Sequence, residues 1–108
     1  MDFKYLVILI TAPSREVADE IAFRLVERKL AACVNTVVPI SSIYAWEGKV
    51  TKDEEVLLVV KARAEGFEER FVPAVQELHP YEVPEIIALP IVMGLGSYLS
   101  WMDEVTTE

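Results

Sequence analysis

The residues best suited to chemistry are concentrated in His79-Pro-Tyr-Glu-Val-Pro-Glu85, where an imidazole, a phenol and two carboxylates (His79, Tyr81, Glu82, Glu85) fall in one short connector. Neutral imidazole is the commonest metal ligand, which makes His79 the candidate donor to a Cu(II) or Zn(II) ion. The pattern stops short of a closed metal centre. A tetrahedral zinc site takes four N, S or O donors, whereas this chain has one histidine, one cysteine and no Cys-x-x-Cys, His-x-x-x-His or aspartate-rich loop. Metal binding is therefore expected to be weak, and no cofactor is expected to be obligatory. The competing reading of His79 is structural. Imidazole is favourable at a helix C-terminus in any case, and Pro80 disfavours helical backbone at His79, so the preceding helix must end near Leu78.

Further candidates surround a hairpin. Trp46, Glu47, Lys49 and Lys61 mix an aromatic platform with both charge signs, and with Tyr81, Glu82 and Glu85 they are candidates to line a ligand cleft between subunits. The same residue types also serve as plain interface groups. Cys33, between Ala32 and Val34, reads as a small buried hydrophobe rather than a nucleophile; its one available base is His79, and no local signature supports that pairing. The run Asp53-Glu54-Glu55 reads as solvated charge or as a guard on a strand edge. Gly94-Leu95-Gly96 is a weak anion signal ahead of the last helix. With no phosphate loop, no Ser-His-Asp order and no distinctive carboxylate pair, no enzyme is expected.

The elements that must position these groups follow from periodicity. Tyr5 to Ile10 is a continuous apolar run, read as a strand buried on both faces. Ser14 can cap a helix whose apolar positions Val17, Ala18, Ile21, Ala22, Leu25 and Val26 recur at helical spacing. Ala31 to Tyr44 and Lys49 to Arg63 read as two long strands joined at Glu47-Gly48, with Pro39 demanding an edge position or a bulge in the first. Phe67, Phe71, Ala74, Val75 and Leu78 mark one face of a second helix, in which Pro73 is tolerable only near the first turn. Pro84 to Met93 reads as a last strand, and Ser97 as the cap of a short terminal helix carrying Leu99, Trp101 and Met102. The order β-α-β-β-α-β with that extra helix predicts an α+β, ferredoxin-like sandwich.

Composition bounds the rest. At 108 residues the chain is the size of one domain, expected to run from residue 1 to 108, and 53% of it is hydrophobic. Strands with apolar residues at both parities leave a sheet face that two helices cannot cover, so oligomerisation is expected. A net charge of -8 argues against nucleic acid and anionic membrane as partners. A single cysteine allows no intrachain disulfide and fits a reducing compartment. No apolar run reaches the roughly 18 residues of a membrane helix, so a soluble, cytoplasmic protein is expected.

His79-Pro-Tyr-Glu-Val-Pro-Glu-Ile-Ile-Ala-Leu-Pro90, with Leu30-Ala-Ala-Cys-Val-Asn35, Tyr44-Ala-Trp-Glu-Gly-Lys49 and Tyr98-Leu-Ser-Trp101, resembles the CutA family of divalent-cation tolerance proteins. The resemblance runs from Lys4 to about Asp103. It implies a ferredoxin-like subunit in a tight homotrimer, similar in build to PII-type signalling proteins, and a non-enzymatic binding or sensor role in the response to divalent metal ions. The alternative it leaves open is a small-molecule regulatory or protein-anchoring trimer in which metal binding is incidental. Copper-associated relatives carry a cysteine near the end of strand one and two consecutive histidines before Pro-Tyr. Here Ile10 and Leu78-His79 stand in those places, so of that ligand set only His79 remains.

Overall fold

The computed structural model describes residues 3–107. Its strands are β1 (Tyr5–Ala12), β2 (Cys33–Trp46), β3 (Lys49–Arg63) and β4 (Ile86–Pro90), and its α-helices are α1 (Arg15–Glu27), α2 (Val72–Leu78) and α3 (Gly96–Thr106). The sheet has the order β2-β3-β1-β4, and every neighbouring pair is antiparallel. Each helical crossover thus spans one intervening strand, which is the split βαβ, ferredoxin-like arrangement expected from the element order.

Strand alternation sorts the apolar residues. Leu6, Ile8, Ile10 and Ala12 of β1 and Val56, Leu58, Val60 and Ala62 of β3 are buried on one face. They form the core with Ala18, Ile21 and Leu25 of α1 and with Phe71, Ala74 and Val75 beside them. The opposite parity, Val7, Leu9, Leu57 and Val59, lies on the other face and is only partly covered. One end of that face is taken by α3: Tyr5 donates to Asp103 at 2.8 Å, and its cross-strand partner Arg63 donates to both the hydroxyl and the carbonyl oxygen of Thr106 at 2.8 Å.

Local rules account for most boundaries. The Val17 amide donates to Ser14 Oγ at 3.2 Å, closing the N-terminus of α1 as the sequence predicts. Pro73 is the second residue of α2, where its missing N–H costs nothing, and the turn ahead of it, Phe67–Phe71, is a π-helical one. β2 is an edge strand, and its register against β3 shifts by one residue between Val37 and Ile40, so Pro39 sits in both the settings proposed for it; the Val38–Pro39 bond is cis. The hairpin runs on to Trp46, and the longest dimension of the molecule is 44 Å.

Two expectations need correction. β4 ends at Pro90, not Met93, because its partner β1 begins at Tyr5; the Ile91 amide still reaches the Tyr5 carbonyl at 2.9 Å, and beyond it β1 offers no further residue to pair with. Ser97 lies inside α3, whose N-cap is Leu95, with no side-chain capping bond. The Asp53-Glu54-Glu55 run does lie on an open edge: β3 pairs with β1 only from Val56 onward, so these three residues pair with β2 alone.

Candidate functional site

The connector between α2 and β4 is pinned where the sheet stops pairing. β1 turns the carbonyls of its odd-numbered residues toward β4, as the Ile91-to-Tyr5 bond shows. Thr11 has the same parity, and its carbonyl meets His79 Nε2 at 2.7 Å instead of a strand amide. The Tyr81 amide donates to His79 Nδ1 at 3.1 Å. Together these contacts fix one neutral tautomer, with the proton on Nε2 donated to Thr11 and the lone pair of Nδ1 accepting from Tyr81. The ring is 7% exposed and lies 4.8 Å from the Tyr81 ring, centroid to centroid. His79 itself has extended backbone (φ -85°, ψ 133°), as a residue before proline should. A metal at either nitrogen would displace one of the two bonds.

Tyr81 carries the connector back onto the hairpin. Its hydroxyl donates at 2.9 Å to Glu55, a carboxylate that is 8% exposed. Burial and the hydrogen bond to Glu55, in that order, push the Tyr81 phenol up to about 12. One turn of alternation further along β3, Asp53 accepts from the Tyr44 hydroxyl. That bond is the main reason the Tyr44 phenol is also raised. Asp53 and Glu55 share a strand face, while Glu54 points the other way and is exposed. Of the acidic run, Glu55 lines the site, while Asp53 and Glu54 are exposed.

These groups border a cleft of about 570 Å³ lined by Thr11, Ser42, Ile43, Tyr44, Trp46, Glu55, Tyr81, Glu82, Val83 and Glu85. Among the candidates named from sequence, the fold gathers Trp46, Tyr81, Glu82 and Glu85 here within one chain. Glu47 and Lys49 lie just beyond, at the hairpin turn and the start of β3. Lys61 lies twelve residues along β3 from Lys49, roughly 40 Å at about 3.4 Å per residue, and bonds to Asn35. Cys33 faces Lys61 across the strands, and Lys61 faces Val7, four residues along β1 from Thr11, where His79 is tied, so the two do not pair. Sequence reasoning missed Tyr44 and Glu55. The signal for Glu55 was its parity with Asp53; its partner Tyr81, 26 positions away, is a matter of tertiary structure.

Comparison with known proteins bears on what such a site belongs to. A family model described as CutA1 divalent ion tolerance protein matches residues 6–105. The chain belongs to this family. The divalent-cation tolerance protein CutA of Thermus thermophilus is 53% identical over 100 residues, which cover 93% of this chain and 96% of that protein. The chloroplastic CutA protein of Arabidopsis thaliana is 46% identical over 101 residues, 94% of this chain but 55% of the longer relative. The structure of a periplasmic divalent cation tolerance protein CutA from Archaeoglobus fulgidus matches with a TM-score of 0.91 at 47% identity, over 95% of this chain and 99% of that one.

Ile10 is fully buried in the core and Leu78 packs against it, so neither position offers a metal donor. Among the described residues, no group of three or more His, Cys, Asp or Glu side chains is close enough to hold a metal ion. Likewise, no described helix is long and apolar enough to cross a membrane.

Proposed function

We propose that the chain is a non-enzymatic, homotrimeric cation-binding protein acting in divalent-cation tolerance, and that its ligand occupies the cleft under the His79–Glu85 connector. One observation carries this reading: the cleft is lined by three carboxylates, two phenols and an indole, with no lysine or arginine among its lining residues. Carboxylates and aromatic faces both attract cations, and the chain's net charge of -8 adds to that field. Glu55 is committed to Tyr81, which leaves Glu82 and Glu85, both exposed, as the oxygens free to meet Cu(II) or Zn(II). Two carboxylates without a preorganised third donor support loose, micromolar or weaker binding. His79 enters as the group that holds the connector in place. Because Glu55 shares its strand face with Leu57 and Val59, assembly through the uncovered apolar face would put the cleft at a subunit boundary. The number three rests on the family resemblance. Cytoplasmic location is part of the same reading, supported by the lone thiol.

A second reading, a PII-like regulatory trimer, draws support from size. About 570 Å³ with Ile43, Val83 and Trp46 in the wall suits an organic ligand better than a bare ion. Calorimetric titration of Cu(II) and Zn(II) into the protein tests the first reading. We expect one weak site per chain, and at least about a tenfold loss of affinity in the Glu82→Gln/Glu85→Gln double variant. An unchanged isotherm in that variant rules out the cleft as the metal site. Native mass spectrometry of freshly purified protein separates the two readings by reporting whether metal or organic mass is retained.

A further inference from the structure

We propose a second ligand site, for a small organic anion, at the end of the sheet away from the hairpin. A cavity of about 510 Å³ there is lined by Arg28, Lys29, Arg63 and Arg70. These are four of only ten basic side chains in a chain with 18 acidic ones, so their convergence is not a by-product of a basic protein. Nor are they neutralised. Only Arg63 has a carboxylate within 4 Å among the described residues, namely Glu65 at 3.2 Å; Glu77 lines the cavity without pairing. Four cations and two carboxylates leave the cavity with excess positive charge on a protein that is negative overall, and an anion would relieve that repulsion.

Arg28, Lys29 and Arg70 are exposed, and backbone geometry sets where the charges leave the chain. α1 closes with the Leu30 and Ala31 amides folded back onto the Leu25 carbonyl, and Lys29 takes the left-handed conformation (φ 60°), which fixes where Arg28 and Lys29 leave the chain. Arg63 is three-quarters covered and is anchored by Thr106 and Glu65. Gly66 is buried at φ 81°, and a Cβ there would meet Arg70 Nη2 at 2.2 Å, so the absence of a side chain is what lets the Arg70 guanidinium fold back against the turn. The remaining wall, Leu30, Phe71 and Ala74, is apolar. Guanidinium forks recognise phosphate or carboxylate oxygens bidentately, and the volume is that of a small organic molecule. The ligand class is therefore an anionic head, phosphate or carboxylate, on a short apolar body.

The test uses the full chain and two probes, phenyl phosphate and benzoate, titrated separately by calorimetry at low and high salt. We expect saturable binding of one probe per chain, weakened by salt. Arg28→Ala/Lys29→Ala, both exposed positions, should lower affinity at least about tenfold with circular dichroism unchanged, and Arg70→Gln should act in the same direction. Lys49→Ala/Lys52→Ala at the hairpin should leave anion binding intact. So should Glu82→Gln/Glu85→Gln, which makes failure of this site distinguishable from failure of the cation cleft. Binding of phenyl phosphate alone assigns the head group as phosphate, binding of benzoate alone as carboxylate, and binding of both as either. No binding of either probe at millimolar concentration, or wild-type affinity in the Arg28/Lys29 variant, overturns the proposal.

Discussion

Two hydrogen bonds hold the His79 ring, one to the carbonyl at the end of β1 and one from the amide that leads into the connector, so the side chain joins strand end to loop. Truncating it strands a buried carbonyl and an amide and opens a void. His79→Ala should lower unfolding free energy by about 2–4 kcal/mol, read as a shift of the urea midpoint at unchanged slope. A loss below about 0.5 kcal/mol would mean that the ring is not structural. Tyr81 gives a pH signature. Its phenol titrates near the ordinary value of about 10 when unfolded and about 12 when folded, so the folded state holds the proton more tightly. The stability this contributes is complete below pH 10 and disappears as pH rises toward 12. Tyr81→Phe should therefore show a shallower fall in stability across that window. Some slope should persist, because the Tyr5, Tyr44 and Tyr98 phenols are raised too. Identical slopes in wild type and variant would mean that burial and Glu55 do not raise the Tyr81 phenol.

Among the elements, the hairpin depends most on two residues. Glu47 (φ 49°) and Gly48 (φ 77°) are both left-handed, as a two-residue type I′ turn requires, and Trp46 faces Lys49 across it. Gly48→Val places a β-branched side chain where L-residues are disfavoured and should cost about 1–2 kcal/mol or more, whereas Glu20→Ala on the exposed side of α1 should stay within about 0.5 kcal/mol. Equal thermal midpoints for the two variants would count against a register-setting turn. This hairpin was legible in advance because Glu-Gly between two alternating runs is a local signal, as are the Ser14 cap and the early position of Pro73. β4 was less so: its end is set by where β1 begins, which no local pattern encodes. The cleft was half legible. Tyr81, Glu82 and Glu85 announce themselves by density of function in one connector. Glu55 and Tyr44 join them only because the connector folds across the hairpin, and within one chain β3 carries Lys61 to the opposite end of the sheet.

For the molecule as a whole, the question is what covers the sheet face that α1 and α2 leave open. α3 covers only the end near Tyr5 and Arg63. Across the rest, Ile87 faces Leu9 and Leu89 faces Val7, and both β4 residues are 51% exposed. The segment that follows adds Val92, Met93 and Leu95, each at least 70% exposed. A contiguous patch of this kind is larger than soluble monomers ordinarily show to water, and each fully buried Leu or Ile contributes about 1.5–3 kcal/mol, so its burial between copies is strongly favoured. Light scattering at micromolar concentration should accordingly give a mass above that of one chain, and the family resemblance sets the expected value at three times the chain mass. Ile87→Glu/Leu89→Glu places two charges on that face and should shift the species toward monomer. Phe23→Glu, an equally drastic change at a 77% exposed position on α1, should leave the trimer intact. A wild-type monomer would refute the packing argument outright. A trimer that survives the β4 variant but not the α1 variant would move the interface from the sheet to the helices, and would take the cation cleft off the subunit boundary.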